Sequence, residues 1–180
     1  MKRLLKIAAG GVGLIALLAV GVLYYHGAFL DLTVDEKSAG PFHFIYKEMK
    51  GTNMSQVGVI TNELNDLLSK RSFATQRPFD LFFPDGHAEI GFVIDQREFA
   101  TLDAADTSFS TRIIAQQRFM TTTFPWKNVM SYMVGFMKVD PLLSEHRKKH
   151  GYRKTWAATL HQGDIITYFQ PIEPELIAPH

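Results

Sequence analysis

The chain has 180 residues, and its 19 basic side chains nearly balance 18 acidic ones, which leaves a net charge of +1. A nucleic-acid-binding surface normally requires a basic stripe, so this charge argues against a nucleic-acid partner. The chain has no cysteine, which excludes disulfide bonds and thiol chemistry. Its 14 phenylalanines predict one domain with an aromatic-rich core.

The first predicted element is an apolar helix from Ile7 to Tyr25, which follows a basic stub at 1–6. An uncharged run of about 20 residues matches the thickness of a bilayer core, so we predict a single transmembrane helix that serves as a signal anchor. The basic residues before it place the N-terminus in the cytoplasm and the C-terminal domain on the outer, periplasmic side of a bacterial inner membrane. A signal peptide cleaved after Ala19-Val20-Gly21 is one alternative. A buried core helix is another, although four glycines make this stretch a poor soluble helix.

A juxtamembrane linker is predicted over 26–40, and a first structural unit follows over 41–95. Alternation of apolar and polar residues indicates strands in this unit, and apolar residues three or four positions apart indicate one helix. Its predicted elements, in chain order, are a strand at 42–47, a helix at 54–70, a strand at 79–83 and a strand at 88–94.

A polar, irregular crossover is predicted over 96–108, and a second unit follows over 109–172. Asp140-Pro141 divides its helical region into two pieces, because proline favours the first turn of a helix. The predicted elements are a strand at 110–124, a two-part helix at 125–149, a strand at 152–161 and a strand at 165–172. We interpret residues 173–180 as a loose tail.

Both units therefore predict the same order of elements, β-α-β-β. This duplication predicts an α+β fold in which a pseudo-twofold antiparallel sheet carries helices on one face, preceded by the single transmembrane helix. A cleft between the two halves of such a fold is the natural place for a ligand.

Two clusters in the second unit have competing interpretations. Met130, Met133 and Met137 form a helical stripe, and we favour core packing over the wall of an adaptable pocket. His146 and His150 have a spacing that can bind zinc, but cationic residues separate them. We favour a solvated helix face, and we predict neither a metal site nor a cofactor.

Three short segments carry a resemblance to a known family: Thr123-Phe124-Pro125, Val139-Asp140-Pro141-Leu142-Leu143 and the run from Gly163 to Ile172. Their order within the duplicated unit resembles the GyrI-like small-molecule-binding fold, which also serves as the effector-binding module of multidrug-sensing transcription activators. With the N-terminal apolar run, the chain is similar to the membrane-anchored subgroup that includes the mammalian testis-expressed reticulophagy receptor.

The resemblance implies a ligand in the cleft between the halves. Family members often carry a glutamate four residues before the proline of the last strand, a position held here by Thr167. Its counterpart in the first half is Glu89, whose carboxylate would act as an acid or counter-ion if it faced the cleft. Aromatic side chains on the predicted inner strands can line the cleft or pack in a core. The expected ligand-binding residues are Tyr46, Glu89, Phe119, Trp156, Thr167 and Tyr168.

These observations favour a membrane-anchored binding module for a small lipophilic or amphipathic molecule, rather than an enzyme. Two alternatives stay open. One is a protein-interaction scaffold at the membrane. The other is a hydrolase of reactive electrophiles in which Glu89 supplies acid/base catalysis.

Overall fold

The computed structural model describes residues 2–51, 54–73, 76–103 and 106–173. Within these ranges the chain forms four helices and eight strands. In chain order they are α1 (Lys2–Tyr25), β1 (Asp35–Ala39), β2 (Phe42–Met49), α2 (Met54–Lys70), β3 (Arg77–Phe82), β4 (Ala88–Ile94), α3 (Gln96–Phe99), β5 (Ser110–Ile114), β6 (Gln117–Pro125), α4 (Val129–His150), β7 (Ala157–Gln162) and β8 (Ile165–Pro171). The tail predicted at 173–180 lies outside the described residues except for Glu173.

The N-terminal helix α1 forms around the apolar run, but the membrane prediction made from that run is wrong. Crossing a bilayer needs about 20 apolar residues in one helix, and no helix in the described ranges combines that length with enough apolar character. The predicted anchor is therefore wrong, and so is the single-pass location with a periplasmic domain that was derived from it.

The chain after α1 is attached to the body of the domain. The Nδ1 atom of buried His26 lies 2.9 Å from the Ser131 hydroxyl oxygen at the start of α4. Lys127 donates a hydrogen bond to the Tyr25 carbonyl at 2.6 Å and lies over the Tyr25 ring. Strand β1 then forms within the predicted linker and pairs antiparallel with β6, from Asp35 opposite Thr121 onward.

The eight strands form one antiparallel sheet in the order β1-β6-β8-β7-β3-β4-β2-β5. The first unit contributes the neighbouring strands β3, β4 and β2, and the second contributes β7, β8 and β6 in the matching positions. The units meet where β3 pairs with β7, with Phe79 opposite Leu160. This arrangement is the duplicated β-α-β-β sheet that the sequence pattern predicts.

The sheet curls strongly, and its inner face holds the largest aromatic cluster. Four strands separate β2 from β6, yet the rings of Phe42 and Phe119 are only 6.3 Å apart and those of Phe42 and Phe169 are 5.8 Å apart. Only a curved sheet can bring these strands together. We call the enclosed surface the interior face; its buried members come from β2 to β8, and they include Phe44, Phe79 and Leu81.

Helices α2 and α4 both pack on the opposite, outer face of the sheet. Leu64 and Leu68 of α2 pack against Ile45, Phe92 and Ile94 of the first unit. In the second unit, α4 covers β6 and β8. Its contacts there include Val134, Val139 and Leu143 against Met120, Phe124 and Ile166. The central strands β3 and β7 lie between these two helices.

Three local predictions differ from the observed elements. The helix α4 is continuous through Pro141 instead of breaking there. Pro141 has no backbone N–H, so the Met137 carbonyl lacks its hydrogen bond within the helix. Met137 and Pro141 are both exposed, so water can donate to this carbonyl instead. The long strand predicted at 110–124 is divided into β5 and β6, and the polar crossover contains the short helix α3, capped by Asp95.

A glycine in β4 controls the spacing of the first unit. A Cβ atom at Gly91 would lie 1.9 Å from the Ile45 carbonyl oxygen of β2. That atom belongs to paired backbone and cannot move aside. We therefore expect Gly91→Ala to destabilise the protein by about 3 kcal/mol or more, measured by urea unfolding. Gly58→Ala is the control, since Gly58 in α2 has open space around it and should gain roughly 0.5–1 kcal/mol. Equal stability of both variants would contradict this role for Gly91.

Candidate functional site

The structure brings five of the six expected ligand-binding residues to the interior face. Tyr46, Glu89, Phe119 and Trp156 are each less than 5% exposed there. Thr167 alternates with buried Tyr168 along β8 and therefore shares the interior face with Phe169. Tyr168 lies on the outer face instead, where it packs under α4. Whether these residues contact a ligand stays a prediction.

Glu89 is held inside the sheet by an arginine that the sequence analysis did not select. One carboxylate oxygen of Glu89 lies 2.8 Å from the Arg112 guanidinium, and the side chains are 2% and 10% exposed. Arg112 also donates to the Tyr46 hydroxyl at 3.4 Å and lies over the Tyr46 ring. Burial raises the pKa of Glu89 to about 7, although Arg112 acts to lower it. The pair places an ionisable group against an aromatic interior.

A different surface offers space for a ligand. A groove of about 450 Å³ lies between α4 and the first unit, and we call it the α4 groove. Tyr132, Met133, Phe136 and Met137 form its α4 wall, since residues three or four apart share a helix face. The opposite wall comes from the ends of β2, β3 and β4 and the β3–β4 turn: Met49, Gly51, Phe82, Phe83, Gly86, His87 and Ala88.

Met133 and Met137 of the methionine stripe line this groove and Met130 is 48% exposed, so the interpretation of the stripe as core is wrong. Met133 is 54% exposed and Met137 is 75% exposed. The side of α4 that packs on the sheet carries smaller residues, including Val134 and Gly135. A Cβ atom at Gly135 would lie 2.5 Å from the Tyr168 hydroxyl oxygen, which shows how closely the helix approaches the sheet. The larger apolar side chains of α4 are therefore left on its open side.

Tyr132 lines the α4 groove and also belongs to a buried polar cluster with Asp80 and His161. Asp80 of β3 is 7% exposed, and burial raises its pKa to about 7. Burial also raises the pKa of Tyr132, and the nearby Asp80 carboxylate adds to that effect. His161 stacks on Tyr132 with 5.9 Å between ring centroids, and burial lowers the pKa of this histidine. Apolar side chains therefore line the α4 groove, and buried polar side chains lie behind its Tyr132 wall.

Comparison with known proteins identifies the fold. Neither a protein-family model nor a curated protein sequence matches the chain. Among solved structures, the EcmrR C-terminal domain has a TM-score of 0.56 at 9% identity, with 80% of this chain and 99% of that one covered. EcmrR in its DNA complex has a TM-score of 0.58 at 10% identity, with 96% of this chain and 70% of that one covered.

The chain shares the fold of these regulator domains, which are GyrI-like. The predicted resemblance is confirmed at this level, whereas the membrane-anchored subgroup is not supported. At identities of 10% or less, these similarities establish architecture and assign no activity to the chain.

The buried Asp80 carboxyl should make stability depend on pH. Its folded-state pKa of about 7 exceeds its ordinary value of 3.8, so the folded state binds a proton more tightly than the unfolded state. The free energy of unfolding should therefore decrease as pH rises from about 4 to about 7. We expect Asp80→Asn to remove part of this decrease, on the order of a few kcal/mol, in urea unfolding series at pH 5 and pH 8.

Asp66→Asn is the matched control for this experiment, because Asp66 is exposed on α2 and should leave the pH dependence unchanged. Glu89, with its own raised pKa, accounts for a remaining slope in the Asp80 variant. If Asp80→Asn and wild type lost stability in parallel between the two pH values, the assigned pKa of Asp80 would be wrong.

Proposed function

We propose that the protein is a binding module that takes a small lipophilic or amphipathic molecule in the α4 groove. The observation that carries this proposal is the groove itself, an almost entirely apolar space of about 450 Å³ built from both halves of the fold. Ligand pockets in proteins commonly measure about 300–1,000 Å³ and are mostly apolar, with few polar groups. The groove matches this description in size, lining and position.

The side chains on its walls suit ligands of varied shape. Met133 and Met137 are unbranched and polarisable, so they can adapt to different apolar surfaces. Phe136 meets Phe82 across the groove at 6.3 Å in an edge-to-face arrangement. A flat apolar ligand would make favourable contacts with such rings.

One polar side chain, His87, can orient an amphipathic ligand at the groove. Tyr132 contributes its ring to the α4 wall. His87 stacks on Phe83 with 4.0 Å between ring centroids, and its Nδ1 atom lies 2.6 Å from Asp85. Because Asp85 fixes the histidine ring, the Nε2 atom is the one available to a ligand. An amphipathic molecule would pack its apolar part in the groove and place its hydrogen-bonding end at His87.

The two alternatives make different demands on the site. Catalysis by Glu89 requires that carboxylate to meet the substrate, and the lining of the α4 groove does not include it. A protein-interaction role would use the same exposed methionines to bind an apolar peptide segment. The small-molecule role is favoured because the groove is concave and of ligand size.

Binding of the neutral fluorescent lipophile N-phenyl-1-naphthylamine to the full chain tests the proposal. Met133→Lys and Met137→Lys place a charge on the groove wall and should weaken binding about tenfold or more, because an ammonium group is poorly compatible with an apolar site. Both residues are half or more exposed, so the variants should fold. Fluorescence titration measures the dissociation constant.

Met130→Lys is the matched control, since Met130 lies on the same helix and is 48% exposed but does not line the groove. It should bind the probe like wild type. Glu89→Gln should also leave probe affinity unchanged. Equal weakening in all three lysine variants, or loss of binding only in Glu89→Gln, would contradict the assignment of the ligand to the α4 groove.

A further inference from the structure

A second cluster of chemically capable side chains lies at the other end of α4. Glu36 of β1 and His146 and His150 of α4 each offer a ligand atom, and these three atoms lie within 4.8 Å of one another. The Nε2 atom of His146 is already 3.0 Å from a carboxylate oxygen of Glu36. The histidine pair was recognisable in the sequence, but the carboxylate is 110 residues away and could not be assigned to it.

The hydrogen bond made by His150 prepares its other nitrogen for a metal. Its Nδ1 atom lies 2.9 Å from the His146 carbonyl oxygen. A carbonyl can only accept, so Nδ1 carries the hydrogen, and Nε2 of the neutral ring carries the lone pair. Metal-binding histidines commonly have this arrangement, in which a backbone carbonyl or carboxylate fixes the tautomer.

The carboxylate is oriented by neighbours that are not ligands themselves. Tyr152 donates its hydroxyl hydrogen to Glu36 Oε1 at 2.9 Å, and Arg118 donates to Oε2 at 3.0 Å. The Glu36 and His146 side chains are each 22% exposed, so both are partly shielded from water. Arg118 is 63% exposed and competes with a cation for this carboxylate, but it engages the oxygen that faces away from His146.

The position at the end of the helix is electrostatically suited to a cation. Helix α4 ends at His150, and Gly151 adopts a left-handed conformation as its C-cap. The last carbonyl groups of a helix carry partial negative charge, which favours cations near this end. Arg147, Lys148 and Lys149 on the same turn reduce that advantage.

We propose that Glu36, His146 and His150 form a zinc site that connects the edge strand β1 to the C-terminal turn of α4. Two imidazoles and one carboxylate form a donor set that suits Zn²⁺, and water completes a tetrahedron. Zinc–nitrogen distances of about 2.1 Å require ligand atoms about 3.4 Å apart. The three ligand atoms already lie within 4.8 Å of one another, so a small rotation of the exposed His150 side chain closes the site, while His146 adopts the tautomer with its hydrogen on Nδ1.

Titration of the metal-free full chain with zinc sulfate, followed by calorimetry, tests this site. We expect one Zn²⁺ per chain, and a weakening of about 100-fold in His150→Gln, which removes a direct ligand at an exposed position. Glu36→Gln should weaken binding about tenfold or more. Co²⁺ provides an independent measurement, because four-coordinate Co²⁺ with this donor set absorbs visible light far more strongly than six-coordinate Co²⁺ does.

Glu145→Gln is the matched control: it removes the same charge from α4 next to His146 but no proposed ligand, so zinc affinity should be unchanged. Bound zinc should also slow hydrogen exchange at the amides of Asp35–Ala39 in wild type and not in His150→Gln. The proposal is overturned if no heat is seen with Zn²⁺ up to about 100 μM, if His150→Gln binds like wild type, or if bound Co²⁺ shows only the weak six-coordinate spectrum.

Discussion

Aromatic packing across the curled sheet is the constraint on which the remaining structure depends. Phe42 of β2 contacts Phe119 and Phe169 of the neighbouring strands β6 and β8, which are distant from β2 in the sheet, and these ring contacts hold the curve closed. Phe119 also meets Trp156 edge to face at 5.8 Å. Aromatic pairs of this kind contribute about 0.5–1.5 kcal/mol each beyond the area that they bury. These side chains fill the interior face where the distant strands meet, whereas the α4 groove lies on the outer face.

The composition of α4 determines what that outer face offers. The helix packs closely on β6 and β8 through small residues such as Ser131 and Gly135, which leaves its bulky apolar residues directed away from the sheet. Helices α2 and α4 cover different pairs of strands, so the space between them over β3 and β7 is uncovered. Met133 and Phe136 border this space. The same sequence feature that allows tight packing of α4 therefore produces the groove.

Local elements of the fold could be predicted from the sequence, while contacts between distant segments could not. The helix Met54–Lys70 and the strand Ala88–Ile94 have the predicted bounds because their apolar periodicity is unambiguous. The partner of Glu89 was missed, although Arg112 alternates with Ile114 on a short strand and could have been placed on the inner face. The transmembrane prediction was made from the length and lack of charge of one run, and it is contradicted by the structure, in which no described helix has the length and apolar character to span a bilayer.

The residues expected at the ligand site show a second limit of prediction from sequence. Thr167 and Tyr168 are adjacent, and the period of two in a strand directs them to opposite faces whatever the ligand. A sequence pattern can therefore divide a strand into two sets, but it does not say which set faces the interior. That assignment follows from the curl, which encloses the face bearing Phe169 and leaves the Tyr168 face to α4.

Strand β1 is an edge of the sheet whose polar side chains also hold it to α4. Strands β1 and β5 are the edge strands, and the pairing of Ala39 with Gln117 places the end of β1 beside the β5–β6 turn, where Gly40 approaches the Ala115 carbonyl oxygen. Exposed edges invite pairing with other chains, and polar side chains discourage it. The alternation of Asp35, Glu36 and Lys37 on β1 serves this purpose. Glu36 is the member of that edge turned toward α4, so the charge that protects the strand from pairing is also the group that ties it to His146.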